Sequence, residues 1–136
     1  VFDLDRFTSF EGNTGPYILY TIVRIKSILR KYAEVENGKS TTKVSEPTSE
    51  SEKNLMLVLS RFSEVMKIAY DEKAPHKICA FVYSVCDAFN HFYHANKILG
   101  IEDKDLEAQY ISLLEVTERV PLCCIDLLGF EALERM

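Results

Sequence analysis

Apolar side chains that recur every three to four residues restrict this chain more than any other feature. Ile18, Ile22, Ile25, Leu29 and Tyr32 form one such series. Leu55, Leu59, Phe62, Met66 and Ala69 form a second, and Ile78, Phe81, Val82, Val85, Phe89 and Phe92 a third. Leu106, Tyr110, Leu113, Thr117 and Val120 form a fourth. Each series falls on one face of an α-helix, and no alternating strand pattern competes with it. A helix with an apolar stripe must bury that stripe against another, so the fold class is all-α, an antiparallel helical bundle. The chain has 136 residues, 47% of them hydrophobic, which suffices for one domain with a real core.

The stripes and their punctuation predict helices over residues 16–35, 52–71, 75–98 and 103–128. Thr14 or Gly15 serves as the first cap, with Pro16 in the first turn, where its missing N–H costs little. Pro75 opens the third helix, and Pro121 kinks the fourth or starts a new segment. Residues 36–54 are rich in Ser, Thr and Glu and read as a mobile linker, with the charge run Glu50-Ser51-Glu52-Lys53 solvated.

Formal net charge is −5 and the pI is near 5.2, which excludes a general polyanion binder. The first helix is nevertheless basic and aromatic. At ~100° per residue, Tyr17, Tyr20, Arg24, Ser27 and Lys31 share one narrow arc, turned away from the isoleucine stripe. Two readings stand side by side. Stacked tyrosines with interleaved cations suit splayed-out RNA bases and their phosphates. The same arc also describes a solvated face whose tyrosines half-cover the core.

Other patterns carry less. No run of ~18 apolar residues exists to span a membrane. "VFDLDRF" lacks the basic start and apolar core of a signal peptide. A chain that begins with Val is expected to be a fragment or a processed form. Cys79 and Cys86 lie two helical turns apart, Cys123 and Cys124 are adjacent, and no Cys-x-x-Cys occurs. Reduced, partly buried thiols in a cytoplasmic protein are therefore expected, with neither a zinc site nor a redox pair. His91 and His94 could face one metal but lack a third ligand. Asp3, Asp5 and Glu11 do not make an acid–base pair. No phosphate loop is present, since "GNTG" lacks the lysine and the spacing.

Three stretches in fixed order add a resemblance: "FDLDRFTSFEGNTGPYILYTIVRI", "KAPHKICAFVYSVCDAFNHFYHANKILG" and "DLLGFEALERM". Together they resemble the C-terminal part of arginyl-tRNA synthetases, the helical DALR-type anticodon-binding domain of a class I synthetase. The likeness covers almost everything except residues 36–54. It implies a connector at residues 1–15 from a catalytic domain and an anticodon-binding domain at residues 16–136. It also implies that Tyr20, Arg24, Tyr93 and Met136 meet the anticodon loop. With Tyr17 and Lys31 from the arc, these make the candidate tRNA-binding set. The partners implied are arginine tRNA and the catalytic domain of the same polypeptide, in a monomer, with no DNA and no membrane. The departures are Leu19, where the family usually has Gln, and "RVPLCC", where relatives commonly show Gln-Val-Leu-x-Asn-Gly. The His-Ile-Gly-His-like and Lys-Met-Ser-Lys-Ser-like sequences that hold ATP in class I synthetases do not occur. The chain itself is thus expected to need no cofactor and to be catalytically inactive, ATP being used by the parent's catalytic domain. The other function class is a free-standing helical interaction domain without an RNA role.

Overall fold

The computed structural model of the chain describes residues 14–36 and 46–134. Five helices account for most of them, and no strand occurs among the described residues. In chain order they are α1 Thr14–Glu36, α2 Glu50–Ser60, α3 Phe62–Asp71, α4 Pro75–Ala95 and α5 Lys104–Glu134. The fold is an all-α bundle, as the periodicity requires. None of these helices is long and apolar enough to cross a membrane.

α4 is the centre of the bundle and packs against all four other helices. Its Val82, Val85, Phe89 and Phe92 are fully buried, and they meet Ile18, Ile22 and Ile25 of α1, Leu55 of α2 and Leu114 of α5 in one continuous core. The Phe92 ring meets Tyr110 edge-on, with centroids 5.0 Å apart. That geometry sets the positive edge of one ring against the negative face of the other.

The expected 52–71 helix is two helices. The Ser60 hydroxyl donates to the Leu57 carbonyl at 2.6 Å, and the Arg61 N–H bonds Val58 at 3.1 Å. The last turn of α2 tightens, and α3 begins one residue later. α3 ends in a Schellman motif. Lys73 has φ 52, Ala74 N–H reaches the Ala69 carbonyl at 2.9 Å and Lys73 N–H reaches Tyr70 at 3.3 Å. Pro75 then opens α4, as expected, but α4 stops at Ala95 rather than 98.

α5 continues through Pro121, so the expected new segment is not found. The Thr117 carbonyl forgoes one intrahelical donor there, while the buried Thr117 hydroxyl bonds Leu113 at 2.7 Å. Asp103 caps α5 by accepting from Asp105 and Leu106 N–H, both at 3.1 Å. All four cysteines are free: Cys86 and Cys124 are buried, Cys79 is half-buried and Cys123 is exposed. Burial pushes the Cys86 and Cys124 thiols up to about 12, so both stay protonated at neutral pH.

Residues 1–13 of the expected connector and 37–45 of the expected linker lie outside the described residues. The downstream end of the linker is a correction. Residues 50–54 belong to α2, and Glu52, expected in a solvated charge run, is 0% exposed. Ser49 is the N-cap and accepts from Glu52 N–H at 3.2 Å. The Glu52 carboxylate reaches back to Thr48, accepting from its N–H at 2.7 Å and its hydroxyl at 2.9 Å. Its other oxygen accepts from Gln109 Nε2 at 2.7 Å. This is a variant of the Ser-x-x-Glu capping box, tied into α5 by Gln109. Glu52→Gln replaces one acceptor with a donor that must face an N–H or O–H. It is expected to lower stability by about 1–3 kcal/mol, read as a lower denaturation midpoint. An unchanged midpoint would contradict the network.

Candidate functional site

α1 and α4 lie side by side, and the polar and aromatic residues at the edges of their stripes meet along the seam. The isoleucines fix the rotation of α1. Thr21 is thereby buried against α4, and Tyr20, 59% exposed, is left at the surface. Arg24, one turn on from Tyr20, lies between them and points across the seam.

The Arg24 guanidinium is stacked between two tyrosines from different helices. Its Cζ lies 4.7 Å from the centre of the Tyr20 ring and 4.3 Å from that of Tyr93 on α4. Both distances are within the ~6 Å reach of a cation–π contact. Nη1 donates to Asn90 Oδ1 at 2.7 Å, and Nη2 donates to the Tyr20 hydroxyl at 2.6 Å. A guanidinium has five N–H donors, so others stay available. Among the described residues Arg24 forms no ion pair, and its charge is not cancelled by a carboxylate. The Tyr93 ring rests near buried Phe89, centroids 6.1 Å apart, and meets His94 edge-on at 5.4 Å.

Tyr17 is a correction to the arc. It is half-buried, whereas Tyr20 is exposed. Its hydroxyl accepts from Asn90 Nδ2 at 3.0 Å, and its ring lies 5.3 Å from Tyr83. Burial pushes its hydroxyl above the ordinary tyrosine range, opposed by the Asn90 hydrogen bond. Lys31 is exposed on α1, but it stands seven residues from Arg24, about 10 Å along the axis. Met136 lies outside the described residues. The structure therefore gathers Tyr17, Tyr20, Arg24 and Tyr93 into one cluster and leaves Lys31 at its margin.

Sequence reasoning missed the residue at the centre of the cluster, Asn90. It is 8% exposed and bonds Arg24, Thr21 and Tyr17 at once. The available signal was a polar amide beside Phe89, on a helix whose neighbouring turns are apolar.

Chemically, the cluster is a set of flat plates with a positive charge at the middle. Exposed Lys26, Arg30 and Lys31 extend that charge along α1. Plates and cations of this kind take unstacked bases and the phosphates between them. They offer no nucleophile or general acid–base pair.

A family model described as the DALR anticodon binding domain matches residues 18–136. Among curated proteins, one from Agathobacter rectalis called "Arginine--tRNA ligase" is 54% identical over 138 residues. Proteins of the same name from Alkaliphilus oremlandii and Maricaulis maris are 47% and 43% identical over 136 residues. All of this chain is covered in each case, but it spans only 23% of the length of these relatives.

Proposed function

We propose a function from one premise: the chain belongs to the DALR anticodon binding domain family. Its function is to bind the anticodon stem-loop of arginine tRNA. In a longer arginine–tRNA ligase it positions that tRNA for arginylation by a catalytic domain of the same polypeptide. ATP is consumed there, and this chain needs no cofactor of its own. The setting is a cytoplasmic monomer.

The observation that carries the reading is the Tyr20–Arg24–Tyr93 stack on the surface of an acidic chain. The outer faces of Tyr20 and Tyr93 receive bases of the loop. Arg24, through its remaining N–H groups, and Lys31 meet phosphates. Tyr17 and Met136 complete the contact set. The net charge of −5 disfavours non-specific RNA, so recognition rests on the loop.

Filter retention with arginine tRNA transcript tests the proposal. Two neutralised phosphates of a single-stranded loop give a log K versus log salt slope of about −1 to −2. An unrelated tRNA is expected to compete poorly. Equal competition by the unrelated tRNA contradicts recognition of the arginine anticodon loop, and no binding at all favours a helical interaction domain without an RNA role.

A further inference from the structure

Asn90 has only one consistent arrangement of its side-chain amide. Arginine donates and never accepts, so the oxygen must face Arg24, at 2.7 Å. Both amide protons are then committed, one to the Thr21 hydroxyl at 2.9 Å and one to the Tyr17 hydroxyl at 3.0 Å. The Thr21 hydroxyl, having accepted, gives its own proton to the Tyr17 carbonyl at 2.8 Å. Every bond in the chain of contacts has a defined direction, and it runs from the backbone of α1 through α4 to the guanidinium.

Arg24 has three partners, and they differ in rigidity. Tyr20 is 59% exposed and Tyr93 is 36% exposed, so neither ring is fixed by close packing on all sides. Asn90 alone is buried. A long side chain held only by exposed rings samples many rotamers and must be ordered again on binding. We propose that Asn90 is a positioning residue for RNA binding: its carboxamide holds the Arg24 guanidinium between Tyr20 and Tyr93 before any ligand arrives. The inference rests on the anticodon-binding reading for its purpose, but the lock itself is a property of the free chain.

Two measurements on the 136-residue chain test it. The first is a double-mutant cycle with arginine tRNA transcript. Asn90→Ala is expected to weaken binding about tenfold when Arg24 is present, the loss typical of one hydrogen bond to a charged group. In an Arg24→Ala background the same change is expected to alter affinity less than about twofold. An equal loss in both backgrounds means that Asn90 acts through general stability, and overturns the proposal. The second measurement needs no RNA. Nitrogen-detected NMR of the guanidinium is expected to give separate, slowly exchanging Nη signals for Arg24. Asn90→Ala averages them, and Asn90→Asp, which keeps an acceptor, restores them. Signals that stay separate in Asn90→Ala overturn the lock even if the RNA reading stands. A locked guanidinium in a chain that binds no tRNA overturns the RNA reading and leaves the lock without the purpose assigned to it.

Discussion

A chain carrying both Tyr20→Ala and Arg24→Ala is expected to bind arginine tRNA about 100-fold more weakly than the parent chain, while its unfolding temperature falls by only several degrees. Stacking of a base on an aromatic ring contributes about 1–3 kcal/mol by such truncations. Loss of the Arg24 charge removes a phosphate contact and makes the salt slope shallower by about one unit. The two side chains touch, so their losses overlap and do not simply add. A total near 2.7 kcal/mol corresponds to ~100-fold. Stability should fall only modestly: Tyr20 is mostly solvated and Arg24 makes no ion pair among the described residues, but the buried Asn90 oxygen loses its donor, at a cost of about 1–3 kcal/mol. Filter binding and thermal melts of the same preparations read the two quantities separately. A variant that binds like the parent removes the RNA role from α1. A variant that unfolds many degrees lower makes the stack a structural device.

Phe89→Ala is expected to do the opposite. Phe89 is 0% exposed on the central helix, beneath Tyr93. Truncating a buried phenylalanine costs about 3–5 kcal/mol, from lost transfer energy and the cavity left behind. For a domain of this size that is a fall in melting temperature of roughly 10–20 °C. Tyr93 also loses part of its floor, so a smaller loss of tRNA affinity accompanies it, visible at temperatures where the variant is still folded. A stability loss below ~1 kcal/mol in a denaturant titration would contradict the placing of Phe89 in the core.

The contrast between these substitutions shows what the sequence could and could not reveal. Ile18, Ile22, Ile25, Val82, Val85, Phe89 and Phe92 were legible as core because their spacing repeats with the helix, and burial follows from spacing when stripes face each other. Tyr20 and Arg24 were legible as neighbours because they lie one turn apart. That Arg24 is stacked against Tyr93 was not legible, because the contact joins positions far apart in the chain and depends on how α1 settles on α4. The partial burial of Tyr17 beside Asn90 and Tyr83 was not legible for the same reason. Angular position on an isolated helix ignores the neighbour that covers its edge.

Local chemistry decided the other departures. The Ser60 back-bond divides what a continuous stripe presents as one helix. Glu52 sits in a polar stretch that composition assigns to solvent. Yet Ser49 and Glu52 stand at capping-box spacing, a signal that outweighs composition once the helix start is recognised. Pro121 shows the limit of a breaker rule: a long, well-packed helix tolerates one missing donor. Asn90 escaped notice because its importance lies in three partners supplied by another helix.

Where the RNA touches the chain is the decisive question. Titrating an arginine anticodon stem-loop into isotopically labelled chain and following backbone and side-chain NMR signals would answer it. The expected result is a continuous patch of shifted signals at Tyr17, Tyr20, Arg24, Asn90 and Tyr93, fading along α1 toward Lys31. Shifts confined to α5, around Glu115, Glu118 and Asp126, or no shifts at saturating RNA, would contradict it.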